Sequence, residues 1–342
     1  MAYRLEQAFA NPRQKFCFYS ANGAETGSAR LNALPFWDWT PYRSHGGGGS
    51  TCIVPLALGC PPLDMGEGKE WIKPLITDPA QVKGLAIPDP RNGRTGEVIK
   101  RTAELARTIP PGDRVRNPDI QSPLGIAELM WDESFYPALI ECPEAIHELL
   151  EKITTFQIEY IRAIQQAAGE RYNPCGFPLV WCSGPGTMLA DDTMNLISPE
   201  MHAEFSLPYV NRIAKAVGPL YYHSCTWRES YFDNIRQLKN IRAFNWNPGN
   251  SDDPATLIRE FSGKAVLALH LCLDMHRDND VLKLGHNFVD EAEFFTYCLD
   301  AMTDESCLYW WFSNVRQKGA VMEKIYDTLH ERGYTPQAAG IV

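Results

Sequence analysis

The stretch PLYYHSCTWRESYFDNIRQLKNIRAFNW, residues 219–246, contains two short aromatic-rich segments on either side of a segment with helical periodicity. The outer segments, 219–224 and 242–246, have the composition and the Gly, Pro or Asn boundaries typical of strands. The segment between them, 229–239, has apolar residues at the spacing of a helix. A strand, a helix and a second strand in this order are typical of parallel strands joined by a helical crossover.

The same alternation extends through the C-terminal half of the chain, whereas the N-terminal third is less regular. Further strands are predicted at 16–20, 51–58, 114–120, 177–182, 265–271 and 307–313, and further helices at 143–167, 199–216, 254–262, 288–302 and 319–332. Eight strands that alternate with helices predict an α/β fold of the (β/α)8 TIM-like barrel type. We expect one domain over residues 1–342, in which residues 1–50 form an irregular N-terminal portion.

Composition narrows the classes of function. The 342-residue chain has a formal net charge of -10, which argues against nucleic acid or an anionic membrane as a partner. The N-terminus lacks the apolar core of a signal peptide and no apolar run is long enough to span a bilayer, so a cytoplasmic location is predicted. The ten cysteines are scattered, as expected of buried thiols and a few metal ligands in a reducing compartment.

In a TIM-like barrel the reactive groups lie at the carboxyl ends of the strands. His223 and Cys225 end the strand predicted at 219–224 and form an H-x-C pair. Residues i and i+2 of a strand point to the same face, so both side chains can reach one Zn²⁺ ion. The pair is therefore a candidate metal site.

A third ligand has three candidates. Cys272 follows the strand predicted at 265–271 and is expected at the mouth of the barrel, and His270 is its substitute on the same face. Cys307 opens the last strand and is expected roughly 20 Å below the mouth. Geometry therefore favours Cys272, although a buried structural thiol is an equally good interpretation of that residue.

Acidic and aromatic residues complete the candidate site. Asp191 and Asp192 can bind a cationic group, orient a histidine ligand or act as acid and base, or they can belong to a solvated loop. His202, within the helix predicted at 199–216, is interpreted as a surface or helix-capping residue. Residues at other strand ends are candidates for substrate binding: Trp181, Asn245, Trp246 and Asn247.

The sequence DDTMNLISPEMHAEFSLPY (191–209), followed by YHSC (222–225), resembles the uroporphyrinogen decarboxylase superfamily. It is most similar to the zinc-dependent methyltransferase branch, in which an acidic pair, an S-P-E helix start, a P-Y pair and an H-x-C pair occur in this order. Residues 57–62, 121–127 and 135–150 are also similar to that superfamily, and the resemblance spans roughly 50–335.

Two departures from the family pattern bear on function. The decarboxylase carries an N-terminal R-Q-A-G-R motif, whereas here Arg13 and Gln14 are followed by Lys15. Because a substrate with many carboxylates needs fixed arginines, we expect no turnover of uroporphyrinogen. The methyltransferase branch also has a second cysteine after the last strand, where this chain has Ser313 and Asn314.

The resemblance implies that zinc binds a thiol or another nucleophile, which attacks the methyl group of a corrinoid or another donor. His223, Cys225 and Cys272 would bind zinc. Tetrahydrofolate is an equally reasonable acceptor, and a corrinoid protein is an expected partner.

Two alternatives stay open: a metal-independent decarboxylase or lyase that acts on a small acid through Asp191 and Asp192, and a non-catalytic subunit that docks a corrinoid protein. The oligomeric state is open, with a homodimer as one option.

Overall fold

The computed structural model describes residues 16–20, 26–38, 42–43, 51–66, 70–174, 184–247, 251–271, 288–312 and 319–335. The described strands are β1 (Phe16–Ser20), β2 (Trp37–Asp38), β3 (Tyr42–Arg43), β4 (Pro62–Asp64), β5 (Glu70–Ile72), β6 (Arg114–Arg116), β7 (Tyr172–Asn173), β8 (Thr187–Ala190), β9 (Leu220–Ser224), β10 (Ile241–Trp246), β11 (Val266–Leu271) and β12 (Leu308–Phe312). The described helices are α1 (Ala29–Asn32), α2 (Ile53–Ala57), α3 (Gln81–Gly84), α4 (Gly93–Thr108), α5 (Pro123–Met130), α6 (Phe135–Glu141), α7 (Pro143–Ala168), α8 (Pro199–Phe205), α9 (Leu207–Val217), α10 (Phe232–Gln237), α11 (Pro254–Phe261), α12 (Glu291–Ala301) and α13 (Gly319–Glu331).

The main sheet has seven parallel strands in the order β2-β1-β12-β11-β10-β9-β8. A second parallel sheet has the order β3-β6-β7, and β4 pairs with β5 in an antiparallel hairpin. Helices connect the consecutive strands from β8 to β12, so the fold is α/β with a parallel sheet. The parallel arrangement brings the carboxyl ends of β8, β9 and β10 to one edge.

The longest described helix, α7, packs against α4, α5 and α9 through a continuous apolar stripe. In α7, Ile146, Leu149, Leu150 and Ile153 are completely buried, and they follow the i, i+3, i+4, i+7 spacing of one helix face. The helix begins with Pro143 in its first turn, where the missing N–H costs nothing, and it ends at Gly169. None of the described helices is both long enough and apolar enough to cross a membrane.

The strands predicted at 16–20, 219–224, 242–246, 265–271 and 307–313 are confirmed within one residue at each end. The strand predicted at 51–58 is wrong, because α2 (Ile53–Ala57) occupies that segment. A short apolar run cannot be assigned to a strand or a helix by periodicity alone. Of the strand predicted at 114–120, only β6 (Arg114–Arg116) is present, and the segment 177–182 lies outside the described residues.

The helix predicted at 199–216 is divided into α8 and α9 at Ser206. Pro208 lies in the first turn of α9, and a proline there lacks the N–H that a continuous helix would need. The break has a structural use, since it turns the Ser206 side chain toward the buried carboxylate of Asp191.

Two glycines allow β8 to begin beside β9. Gly186 has φ +122°, and a Cβ atom there would lie 2.2 Å from the carbonyl oxygen of Pro219. Gly218 has φ +109°, and a Cβ atom there would lie 2.9 Å from the backbone nitrogen of Gly186. Both positions therefore require the absence of a side chain.

We expect Gly186→Ala to lower the free energy of unfolding by about 2 kcal/mol or more, since backbone strain and a clash with the Pro219 carbonyl add together. Chemical denaturation of the purified variant measures the change. Gly112→Ala is the matched control, because Gly112 has φ +96° but no atom within 4 Å of its added Cβ. Equal losses in the two variants would contradict the close approach of β8 and β9.

Candidate metal and substrate site

Asp191 follows β8 directly and is completely buried. Its Oδ1 accepts a hydrogen bond from Ser122 Oγ (2.7 Å), and its Oδ2 accepts from Ser206 Oγ (2.5 Å) and Tyr222 OH (2.5 Å). Burial alone opposes the charged form, but hydrogen bonds from His202, Ser206 and Tyr222 outweigh it and lower the pKa of Asp191. The carboxylate is therefore a buried, hydrogen-bonded anion.

His202 also contacts this carboxylate. Its Nε2 is 3.4 Å from Asp191 Oδ2, and its Nδ1 is 3.1 Å from the Nδ2 of Asn234. Because an amide nitrogen can only donate, Nδ1 accepts and Nε2 carries the hydrogen toward Asp191. The interpretation of His202 as a surface or capping residue is therefore wrong, since the side chain is completely buried.

Asp192 points to the opposite side of the chain from Asp191, toward the edge of the sheet. Its Oδ1 lies 3.8 Å from His223 Nε2 and accepts a hydrogen bond from the backbone N–H of Cys225 at 2.5 Å. The sulfur of Cys225 is 3.4 Å from the same nitrogen of His223. The three ligand atoms lie within 4.8 Å of one another, which is close enough for one metal ion.

Asn245 sets the orientation of His223. The two residues are opposite each other in the register of β9 and β10, and Asn245 Oδ1 is 2.5 Å from His223 Nδ1. Asn245 Nδ2 donates to the carbonyl of Ala268 at 2.8 Å, so its oxygen must face the imidazole. The hydrogen is therefore on Nδ1, and the lone pair of Nε2 points toward Asp192 and Cys225.

The thiol of Cys225 faces His223 although the residue as a whole is exposed. Burial of the thiol and the negative charge of Asp192 raise its pKa to about 12. Without a cation the thiol stays protonated at neutral pH. A divalent cation between these groups would favour the thiolate.

A cavity of about 270 Å³ opens beside these groups. Asp192 and Cys225 line it, and so does Glu128 of α5. Neutral polar and apolar residues complete the wall, among them Asn195, Leu129 and Leu196. Two of the three candidate metal donors, Asp192 and Cys225, therefore border a space for a small molecule.

The other predicted residues are distributed as follows. Asn245 contacts His223 and Ala268, and Trp246 is completely buried on the opposite face of β10. Asn247 lies just beyond β10 and accepts a hydrogen bond from Ser251 through its carbonyl. Cys307 precedes β12, at the amino end of the sheet, far from the carboxyl edge where Cys225 lies.

Several predicted residues cannot be placed. Trp181, Cys272, Ser313 and Asn314 lie outside the described residues, as does the side chain of His270, whose backbone belongs to β11. Cys272 as third ligand and Trp181 as a substrate residue therefore stay predictions. Asp192 is the third donor that the described residues bring to His223 and Cys225.

Asp119 is a site residue that the sequence analysis missed. Burial raises its pKa, the charge of Asp192 raises it further, and His223 and Arg116 act in the opposite direction. Its Oδ1 is buried without a hydrogen-bond partner among the described residues. The sequence could have indicated Asp119, because it lies near the end of the strand predicted at 114–120, where a barrel carries its reactive groups.

Comparison with known proteins agrees with this architecture. A family model described as uroporphyrinogen decarboxylase (URO-D) matches residues 50–174, which confirms the resemblance predicted from the sequence. A methyltransferase from Methanosarcina mazei has a similar structure, with a TM-score of 0.60 and 14% sequence identity over 86% of this chain and 81% of that chain.

A B12-independent methionine synthase from Shewanella sp. W3-18-1, in complex with selenomethionine, has 11% identity over 68% of this chain and 67% of that chain. Its TM-score of 0.42 is too low to indicate a shared fold. A search of curated protein sequences gives no significant match.

We expect Asp191→Asn to lower the free energy of unfolding by about 2–4 kcal/mol at neutral pH, because it removes a buried charge that accepts several hydrogen bonds. The pKa of Asp191 is lower in the folded protein than in the unfolded chain, where an aspartate titrates at about 3.9. Its stabilisation is therefore present above about pH 5 and is lost as the pH falls through the folded-state pKa.

Chemical denaturation of wild type and Asp191→Asn from pH 7 to about pH 3 measures the difference in their free energies of unfolding. This difference should stay constant as the pH falls from 7 and should shrink below about pH 4. Asp233→Asn is the control, because the Asp233 side chain is 88% exposed and should contribute little at any pH. Equal stability of Asp191→Asn and wild type would show that the buried carboxylate is not needed.

Proposed function

We propose that the protein is a methyltransferase in which a zinc ion, bound by His223 and Cys225, activates a small nucleophile for methyl transfer. The proposal rests on one observation above all: the carboxyl ends of β8 and β9 bring a carboxylate, an imidazole nitrogen and a thiol within 4.8 Å of one another. The similarity in fold to a methyltransferase and the URO-D match support it.

The donor set has the chemistry that zinc prefers. Imidazole nitrogen, thiolate sulfur and carboxylate oxygen all bind zinc at about 2.0–2.3 Å, and catalytic zinc sites use three protein ligands with one open position. The lone pair of His223 Nε2 already points at the other two donors because Asn245 occupies Nδ1. Asp192 is our proposed third ligand among the described residues, and Cys272 remains a candidate in its place or beside it.

Zinc supplies a positive charge that lowers the pKa of a bound nucleophile and keeps it as an anion near pH 7. The residues of the chain contribute the remaining requirements. Asn245 holds the imidazole, and the cavity beside Cys225 admits the nucleophile. The anionic nucleophile then forms a bond to the methyl carbon as the donor departs with the electron pair. A methylated corrinoid on a partner protein, or a tetrahydrofolate derivative, is our proposed counterpart in this transfer.

We further propose that the two parallel sheets are parts of one closed TIM-like barrel. Strands β2 and β3 belong to a single segment, residues 37–43, and lie at one end of each sheet. At the other end, Met188 N of β8 donates to the carbonyl of Pro174, which directly follows β7, and Gln121 pairs with Ala190 of β8 in an isolated parallel bridge. Both junctions favour a continuous ring of strands.

We expect about one Zn²⁺ per chain after anaerobic purification, as measured by elemental analysis. His223→Ala and Cys225→Ser should lose most of the bound zinc and the methyl-transfer activity, and keep the native circular dichroism spectrum. Asp192→Asn and Cys272→Ser decide which of these residues is the third ligand. Cys307→Ser is the matched thiol control and should retain zinc, because Cys307 lies at the opposite end of the sheet.

Wild-type protein that binds no zinc, even after anaerobic reconstitution, would contradict the proposal and favour a metal-independent lyase. Unfolding of both His223→Ala and Cys225→Ser would show that the pair is structural. Retention of zinc with no methyl transfer would favour the non-catalytic docking subunit.

We expect Asn245→Ala to weaken zinc binding about 10- to 100-fold. Without the hydrogen bond to Asn245, neither the tautomer nor the ring orientation of His223 is fixed. Competition with a chelator that reports free zinc measures this change. Asn211→Ala is the control, because Asn211 bonds only to the backbone of residues 237 and 239 on the surface. Equal zinc affinity in Asn245→Ala and wild type would contradict the role of this hydrogen bond.

A further inference from the structure

The cavity beside Cys225 is also lined by a carboxylate that is not one of the metal donors, Glu128 of α5. Glu128 Oε1 accepts a hydrogen bond from Tyr136 OH at 2.6 Å, and Glu128 Oε2 accepts one from Thr193 Oγ1 at 2.6 Å. A carboxylate offers about four acceptor positions, so about two remain. Both observed partners are neutral hydroxyls, which hold the carboxylate in place without cancelling its charge.

No cationic side chain balances Glu128 within the part of the chain that the structure describes. None of the described lining residues is Lys, Arg or His, and no ion pair with Glu128 occurs among the described residues. The other acidic groups that line the cavity are already matched to a metal, since one divalent cation would be balanced by Asp192 and a Cys225 thiolate. Asp119, the further acid near these donors, does not line the cavity. Glu128 would then be the uncompensated charge of the cavity.

The size of the cavity limits what can fill it. A volume of about 270 Å³ corresponds to about nine water molecules at ~30 Å³ each. A corrinoid or a complete folate is far larger than this volume, so the part of a ligand that lies inside the cavity is small.

We infer that the small substrate carries an ammonium group, which binds Glu128, and that its nucleophilic atom lies toward His223 and Cys225. This inference deepens the proposed methyl transfer and rests on it for the direction of the second group. An ammonium group at Glu128 would donate hydrogen bonds to the remaining acceptor positions of this half-buried carboxylate. A sulfonate or carboxylate there would be repelled by the negative charge of Glu128. The cavity thus selects by charge as well as by size.

Three thiols of similar length test the inference: cysteamine, 2-mercaptoethanol and 2-mercaptoethanesulfonate, which differ in the charge at the end away from sulfur. Calorimetric titration of the zinc-loaded protein should give the lowest Kd for cysteamine and the highest for the sulfonate. Because the three thiols also differ in acidity, the deciding comparison is the change caused by one substitution. Glu128→Gln should raise the Kd of cysteamine about tenfold and that of 2-mercaptoethanol less than twofold.

Glu133→Gln is the matched control, because Glu133 is an exposed carboxylate a few residues further along that does not line the cavity. It should leave all three dissociation constants unchanged. Wild-type protein offers a second measurement that needs no variant. Raising the salt from about 50 mM to about 500 mM should reduce the preference for cysteamine, since salt screens a partly exposed charge pair.

Saturation-transfer NMR of cysteamine with the metal-free protein separates the two proposals. One outcome is that cysteamine shows saturation transfer in wild type but not in Glu128→Gln, while no preparation of the protein binds zinc. This result would overturn the methyltransferase proposal and support the ammonium site. Equal Kd changes for all three thiols, a preference for the sulfonate, or no cysteamine binding in either form would overturn the ammonium site and leave zinc-dependent methyl transfer standing.

Discussion

The carboxylate of Asp191, removed completely from water, is the constraint on which the site depends. A buried ion is costly unless several donors satisfy it, and here the donors come from separate elements. Ser122 caps α5, Ser206 lies between α8 and α9, and Tyr222 belongs to β9. Because these groups must meet at one carboxylate, two helical segments and a strand are fixed relative to β8.

This buried network also positions the reactive edge. Asp192 follows Asp191 in the chain, and the backbone N–H of Asp191 donates to the carbonyl of His223 at 2.8 Å. Tyr222 precedes His223, so its hydrogen bond to Asp191 holds the strand that presents the imidazole. The two adjacent acids therefore have different tasks: Asp191 organises the fold from inside, and Asp192 lines the cavity with Cys225 and lies beside His223.

The sequence predicted the four strands β9 to β12 well, since each is a short apolar or aromatic run between clear helix signals. It did not predict β8 (Thr187–Ala190), and the strand predicted at 177–182 lies outside the described residues. The segment 51–58 was misassigned because it is apolar throughout, and its residues are buried in a helix as well as they would be in a strand. The H-x-C pair could be found because its spacing of two residues places both side chains on one face. Asp192 was found as half of an acidic pair, but the opposite orientations of the pair depend on tertiary contacts.

Other parts of the site depend on residues that are distant in the chain. The contact between His223 and Asn245 follows from the register of β9 and β10, which no local pattern specifies. Glu128 reaches the cavity only because α5 packs beside the turn that contains Thr193. His202 looks like an ordinary helix residue until the fold places it against Asp191.

The central claim is that Cys225 binds a metal that also binds the nucleophile. X-ray absorption spectroscopy of the zinc-loaded protein tests it most directly, because it counts sulfur atoms in the first coordination shell of zinc. Our account predicts that Cys225→Ser lowers the sulfur count of the residual zinc by one, and that a small thiol raises the count in wild type by one. An identical sulfur shell in wild type and Cys225→Ser, unchanged when thiol is added, would contradict it.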